Sequence, residues 1–557
     1  MKLIECVPNF SEGRDKSIIE AIASEIKKVP GVELLDIDPG EETNRTVMTM
    51  VGAPEAVAEA AFQAIKKAAE LIDMTKHHGA HPRMGATDVC PFVPVAGVTM
   101  DECVAVAKAV SERVGKELGI PVYNYEYAAT RVERKNLAEV RKGEYEGLAS
   151  RVGDAYWTPD FGPDKFNART GATVIGARDF LIAYNVNLNT RDTKLATKIA
   201  QRIREMGFPE RDAEGKLVKD ADGNKVMIPG HFEAVKAVGW FIPEYGQAQI
   251  SINLVNYKVS PPHEVFDKCC EIATELGLRV TGSEIVGLIP LDAMTTAGKH
   301  YLAKQGRLTG VSEGDLVRMA IMSLGLDQLG KFDPHVKVIE YRISKPGRLA
   351  SLSIHEFVDE TASDTPAPGG GSVAALVGAL SAGLASMVAN LTHGRKAYLA
   401  HNETMDALAV RAQELKARLV RLIDLDTEAF DKVMAAFALP KKTDEEKAFR
   451  EAAVQAGTKE SASVPFEVLG LMPEVARLAR TAAELGNTNL TPDAGVAGLA
   501  AALAARGAAY NVMVNCGNLS DSHFTTKMKA DTDRLLAEVD RIAGEIREIV
   551  EGRLWGG

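Results

Sequence analysis

The hydrophobic pattern of residues 2–8 (KLIECVP), 31–37 (GVELLDI), 45–52 (RTVMTMVG) and 88–95 predicts strands, while 15–28 and the Ala-rich stretch 54–73 carry apolar positions at helical spacing. Strand, helix, strand, strand, helix, strand is the split βαβ order, one sheet with helices packed on one face. A further helix over 101–118 and a short strand over 121–126 extend it.

The same order then returns. A strand within 173–187 ending in AYNVNL, a helix over 190–206, strands over 232–242 and 246–257, a helix over 263–277 and a strand over 279–289 predict a second α+β lobe. Two such lobes leave a cleft, the natural place for a small substrate. Helices over 290–305 and 313–327 are expected to close the second lobe. The polar, Gly-rich stretch 207–229 carries a DG turn and predicts an exposed hairpin insertion without a catalytic role. Residues 155–171 have neither period, which marks either a plain linker or a ligand-contacting loop. Phe166 offers a ring to a flat ligand, and Lys165 and Arg169 offer cations to carboxylates.

Beyond about residue 343 the pattern becomes helical throughout. The expected organisation is an α+β front half in two split-βαβ subdomains, 1–180 and 181–343, a linker at 344–351 (SKPGRLAS), and an all-α helical-bundle domain over 352–557. After the APGGGS turn at 367–372, twenty residues (SVAALVGALSAGLASMVANL) carry no charge. Such a run is long enough to span a membrane, but Ala, Gly and Ser dominate it, no Lys/Arg-rich loop flanks it, and its neighbours are amphipathic. A buried bundle helix is expected. The glycine turn lacks the GK[ST] ending of a phosphate cradle. In the next helix Leu408, Ala412, Leu415, Leu419 and Leu422 form a seam whose continuation is Asp426, Ala429 and Val433, with Asp424 off it. A carboxylate at a core position either fixes helix register or titrates high enough to serve as a general acid, and the pattern alone leaves both open. Asn511 and Asn515, four apart, suit a buried hydrogen-bonding pair.

At 557 residues the chain exceeds a single core, and its net charge of −11 argues against nucleic-acid or membrane-surface binding while leaving room for a local basic pocket. The six cysteines form no CxxC pair and the N-terminus carries no basic-then-apolar signal, which points to a cytoplasmic protein with reduced thiols.

Candidate chemistry concentrates in residues 76–95, KHHGAHPRMGATDVCPFVPV. Gly79, Pro82 and Gly85 exclude a helix there, so His77, His78, His81 and Arg83 project from a loop that runs into a strand. Zinc is disfavoured, because HExxH sites need a continuous helix to put two imidazoles on one face. An imidazole that accepts and returns a proton near neutral pH is the better reading. Asp38, where the DPG turn begins, is either a turn former or a carboxylate that steadies a cationic substrate or orients the imidazole.

HHGAHPRMGATDVCPF, with ECVPNFSEG at 5–13 and TNRTV at 43–47, resembles the formimidoyltransferase-cyclodeaminase family, and the likeness runs from residue 1 into the C-terminal region. The resemblance implies that His81 is the catalytic histidine of a first site and Asp426 the catalytic aspartate of a second, to which the PGGGS turn also belongs. It implies that Gly162, Pro163, Asp164, Lys165, Phe166, Asn167, Ala168, Arg169, Thr170 and Gly171 contact folate. It further implies N-formimino-L-glutamate and tetrahydrofolate, with its polyglutamates, as substrates, no metal and no nucleotide, and a homo-oligomer. Two alternatives stand beside it: a rear domain acting as a methenyltetrahydrofolate cyclohydrolase, or one serving only oligomerisation.

Overall fold

In the computed structural model, which describes residues 2–41, 43–79, 81–343 and 347–556, the first lobe is built on β1 (Leu3–Cys6), β2 (Asn9–Phe10), α1 (Lys16–Lys27), β3 (Val32–Gly40), β4 (Arg45–Gly52), α2 (Pro54–Leu71) and β5 (Thr87–Ala96). β4 pairs antiparallel with β3 on one side and with β1 and β2 on the other, and β5 pairs antiparallel with β1 and β2. Strand alternation sorts the two faces. Ile4, Cys6, Met48, Met50, Cys90 and Phe92 bury against Ile22, Ile26, Ala61 and Ile65 of the helices. Their neighbours Glu5, Val7, Val47, Thr49, Val89 and Pro91 line a cavity.

α3 (Met100–Arg113), started by a Thr99/Glu102 capping box, runs on through a π turn to Leu118. β6 (Val122–Glu126), α4 (Leu137–Val140), α5 (Glu144–Gly147) and β7 (Thr173–Ala177) follow. β7 lies parallel between β5 and β6, so the single strand expected within 173–187 is two. The first belongs to the front sheet; the second, β8 (Ile182–Leu188), opens the next lobe.

That lobe continues with α6 (Thr193–Ile203), the short pair β9 (Phe208–Pro209) and β10 (Met227–Ile228), β11 (Val235–Ile242), β12 (Gln247–Leu254), α7 (Pro262–Glu275) and β13 (Val280–Val286). Its sheet order is β11-β12-β8-β13, every pair antiparallel. The β9–β10 pair forms the base of the 207–229 hairpin, with Met227 and Ile228 exposed. α8 (Leu291–Lys304), α9 (Glu313–Leu324), α10 (Pro334–Lys337) and α11 (Ile339–Ile343) come next. Residues 344–346 of the expected linker lie outside the described residues.

The rear unit comprises α12 (Ile354–Thr361), α13 (Gly370–Thr392), α14 (Asn402–Phe437), α15 (Asp444–Leu485), α16 (Thr491–Cys516) and α17 (Ser522–Trp555). Residues 294–323 belong to this unit rather than closing the second lobe. Asp406 of α14 accepts from the Thr309 N–H at 2.6 Å, and Gly310 lies so close to α14 that a methyl group there would stand 2.3 Å from the Val410 nitrogen. The uncharged run is α13. By length and hydropathy it passes as a membrane span, yet its Ala374, Ala375, Ala382, Ala385 and Ala389 sit buried in the bundle core, where small side chains allow close helix packing. The seam of α14 is buried as the spacing requires, with Leu408, Ala412, Leu415, Leu419 and Leu422 all in the core.

Candidate active sites

Asn44 pins the histidine loop to the front sheet. Its backbone takes the left-handed conformation (φ 47°) that Asn tolerates better than most residues. In that pose its Oδ1 accepts from the Gly13 N–H (3.0 Å), its Nδ2 donates to the His78 carbonyl (3.0 Å), and its own carbonyl accepts from His77 Nε2 (2.8 Å). Gly79 is required by close approach, since a Cβ there would lie 2.2 Å from the Thr43 carbonyl oxygen. Arg83 Nε donates to His77 Nδ1 (3.3 Å), and its guanidinium binds Glu146 (2.7 and 2.9 Å) and Glu144 (3.2 Å). Both ring nitrogens of buried His77 are thus engaged in holding the loop. His77 and Arg83 are scaffold, and His78 is exposed.

His81 is different. It is half-buried on the wall of the cavity, which holds about 1080 Å³ and is lined by both α+β lobes. Its Nδ1 donates to the Pro82 carbonyl (2.6 Å), which leaves Nε2 as the lone-pair nitrogen, and Arg45 Nη1 donates to that nitrogen. Burial lowers the His81 pKa below its usual 6.5, the Arg45 cation lowers it further, and Asp88 and the Pro82 carbonyl oppose them. Neutral imidazole with a fixed tautomer is what a base needs at neutral pH. Asp88, fully buried on β5, accepts from the Met84 N–H (3.0 Å) and is clasped by Arg141.

Asp38 lines the same cavity but sits inside edge strand β3, opposite Val47, and not at a turn; Pro39 is tolerated there because an edge strand can forgo a donor. The Pro82 carbonyl, not Asp38, holds the His81 Nδ1 proton. None of residues 162–171 lines this cavity. That segment backs the histidine loop instead: Thr170 accepts from the Ala86 N–H (2.8 Å), Arg169 accepts from the Met74 N–H (2.9 Å), and Asp164, Lys165, Phe166, Asn167 and Gly171 border a separate crevice of about 20 Å³.

Sequence reasoning passed over several wall residues. Arg45, Arg141, Lys142, Arg178, Lys236 and Lys337 put six cations on this cavity, beside the carboxyl groups of Glu5, Asp36, Asp38, Glu126 and Glu144. Glu5 lies on the same wall, fully buried, and burial raises its carboxyl to about 7 against the pull of Arg178. The signal was present: Glu5 breaks an apolar row, Leu3 and Val7, on one face of β1.

In the rear unit Asp424, off the seam, is more buried than Asp426, because residues 347–350 fold over it and the Leu349 and Ala350 N–H groups donate to its carboxylate at 2.7 and 3.1 Å. Asp424 is therefore an anchor for that segment. Asp426 faces the start of α13, which begins at Gly370, inside the expected glycine turn. A Cβ at Gly371 would fall 2.2 Å from Asp426 Oδ1, so any larger residue there would displace the carboxylate. Ser372 Oγ stands 3.1 Å from Asp426 Oδ2 and 2.8 Å from the Ile423 carbonyl, so its single proton serves one acceptor at a time. Burial raises the Asp426 pKa, and Ser372, through hydroxyl and backbone N–H, opposes the rise. Asn511 and Asn515 do not pair side chain to side chain; their amides donate to the Gly507 and Asn511 carbonyls (2.9 and 3.0 Å), and Asn515 also reaches the Ser461 carbonyl (2.9 Å).

A two-lobed α+β unit with an imidazole on the wall of a cavity of mixed charge, and a helical unit with a carboxyl enclosed at a helix start, give the chain two separate candidate sites. Family models agree on each part: the formiminotransferase domain, N-terminal subdomain, matches residues 3–178, the formiminotransferase domain 183–344, and formiminotransferase-cyclodeaminase 353–534. The chain is 41% identical over 555 residues to the formimidoyltransferase-cyclodeaminase of Rattus norvegicus, covering 99% of both proteins. It is 43% identical to the glutamate formimidoyltransferase of Streptococcus pyogenes serotype M1 over 301 residues, 54% of this chain and 93% of that one. Against the methenyltetrahydrofolate cyclohydrolase of Methylorubrum extorquens it is 42% identical over 202 residues, 36% of this chain and 97% of that protein. The chain belongs to the formimidoyltransferase-cyclodeaminase family.

Proposed function

We propose that this bifunctional folate enzyme moves a formimino group from N-formimino-L-glutamate to tetrahydrofolate in the front cavity and closes the product to 5,10-methenyltetrahydrofolate in the rear unit. The observation that carries the reading is the placing of two groups, a His81 on the cavity wall with its Nδ1 proton held by the Pro82 carbonyl and an Asp426 carboxyl enclosed against Gly371 and Ser372. In the first step N5 of tetrahydrofolate attacks the formimino carbon. His81 Nε2 takes the N5 proton and returns it to the departing glutamate nitrogen, which leaves poorly as an anion. Individual cations of the wall meet the two carboxylates of the substrate, and Asp38 steadies the amidinium. In the second step protonated Asp426 gives its proton to the formimino nitrogen as N10 attacks the same carbon, then takes the N10 proton and passes it to that nitrogen, which leaves as ammonia while the methenyl cation forms and solvent reprotonates the carboxylate.

Neither step calls for a metal or a nucleotide. Segment 162–171 is assigned to the extended part of the folate, outside the His81 cavity, and a homo-oligomer and tetrahydrofolate polyglutamates as substrates belong to the same proposal. The Methylorubrum extorquens relative supports a second reading, in which the rear unit acts mainly as a methenyltetrahydrofolate cyclohydrolase. One assay decides: formiminoglutamate with tetrahydrofolate, following the near-ultraviolet methenyl band and ammonia together. Matched appearance of both supports cyclodeamination; transfer that stops at 5-formiminotetrahydrofolate without ammonia, in an enzyme that consumes supplied 5,10-methenyltetrahydrofolate, supports the hydrolase.

A further inference from the structure

Arg45 is an unusual neighbour for a base. It opens β4 opposite Gly40, lines the cavity, and donates through Nη1 to the lone-pair nitrogen of His81. While that contact lasts, Nε2 cannot receive a substrate proton. The rest of the guanidinium is poorly matched: its Nε–H is buried without a partner among the described residues, and Arg45 forms no ion pair with any of them. Two carboxylates stand near enough to act on it, and neither is its partner. Asp88 is already committed to Arg141 and the Met84 N–H, and Asp38 is exposed on the neighbouring edge strand. A half-buried cation with idle donors on a cavity wall is built to receive an anion, and a guanidinium prefers a carboxylate, which it meets with two parallel hydrogen bonds.

We propose that Arg45 is both the receptor for a carboxylate of the glutamate portion of the substrate and the cap on His81: carboxylate binding draws the guanidinium off Nε2 and frees the base only when substrate is present. The proposal rests on the formimino-transfer reading of this cavity. It makes Arg45 a positioning residue for His81 and a binding residue for the dicarboxylate. The groups that face His81 and Arg45 are Asp88 on β5, Arg141 after α4 and Asp38 on β3, so the charge at Nε2 is set by these and by Arg45 itself.

The test uses the whole enzyme labelled at histidine Cε1, with the His81 resonance assigned through His81→Asn, and glutarate as probe because it carries the two carboxylates without the reacting nitrogen. Titrating glutarate into the unaltered enzyme should raise the His81 pKa saturably, by about one unit, as the cation is neutralised or moved. Arg45→Gln should raise it by a similar amount without ligand and abolish the glutarate response. The same variant should raise KM for formiminoglutamate roughly 10- to 100-fold while KM for tetrahydrofolate stays within about twofold. Arg45→Lys, which keeps the charge and loses the fork, should fall between. Should Arg45→Gln fail to fold, the titration of the unaltered enzyme decides alone. A His81 pKa that glutarate does not move, whether or not glutarate inhibits, overturns the proposal. An enzyme that ignores formiminoglutamate yet shifts His81 on glutarate overturns the transfer reading and leaves the Arg45 site standing.

Discussion

His81 in the front unit and Asp426 in the rear are both enclosed by protein, and enclosure moves them in opposite directions. Burial disfavours charge, so the imidazole loses basicity while the carboxyl gains it. The second influence at each site also differs. Arg45 adds to the effect of burial on His81, whereas Ser372 works against burial at Asp426. In the proposed reading the front group serves as a neutral base whose Arg45 partner must move aside, and the rear group as an acid that meets both the hydroxyl and the backbone N–H of Ser372. The proposed function thus sets two proton relays in two different folds, an α+β unit and a helical bundle.

The contrast breaks most visibly at the two residues themselves. His81→Ala should lower formimino transfer by about 10²- to 10⁴-fold and leave cyclisation of supplied 5-formiminotetrahydrofolate unchanged; Asp426→Asn should do the reverse. Separate assays of each half-reaction check this, and loss of both activities from either change in folded protein would refute the division.

Two glycines offer a subtler break. A methyl at Gly371 would meet Asp426 Oδ1 at 2.2 Å, and one at Gly79 would meet the Thr43 carbonyl at 2.2 Å. Gly371→Ala should cost cyclisation alone roughly 10- to 100-fold, and Gly79→Ala transfer alone by a similar factor, because a displacement near 1 Å already spoils a relay. Steady-state rates for both reactions on each variant sharpen the comparison.

The pH profiles should slope oppositely. Transfer should fall as pH drops through a His81 pKa below 6.5, and cyclisation should fall as pH rises through the raised Asp426 pKa, each at most tenfold per unit. Parallel profiles would mean that the two residues do not govern the rates.

The smallest effect concerns Glu5, a front-unit carboxyl raised as Asp426 is. With its pKa lifted from 4.5 to about 7, the folded state holds the proton more tightly than the unfolded state, so stability is present below 4.5 and lost as pH rises to about 7. Glu5→Gln should remove that loss, about 1–3 kcal/mol, seen as a urea midpoint for the front unit that no longer falls between pH 5 and pH 8.

The two lobes and the bundle were legible in the chain because period and length report local structure directly. The seam of α14 and the split βαβ order needed nothing more. What escaped notice is set by contacts distant in sequence. β7 joins the front sheet as a parallel strand beside β5, a pairing across more than 80 residues that no local period encodes. Asp424 and Asp426 exchanged their expected burial because residues 347–350, outside the helix that carries both, cover one and not the other. At the front site the loop announced its histidines, but their division into scaffold and base follows from where the Asn44 carbonyl, Arg83 and Pro82 sit. Arg45 reads as an ordinary strand residue until the fold brings His81 against it.

The claim that two relays share the work is tested most directly by mixing variants, each lacking one of them. Asp426→Asn alone, given formiminoglutamate and tetrahydrofolate, should accumulate 5-formiminotetrahydrofolate with no ammonia, and His81→Ala alone should produce neither. The two together should restore the methenyl band and an equal amount of ammonia. A mixture that forms no methenyl product, or Asp426→Asn releasing ammonia at the unaltered rate, would contradict the account.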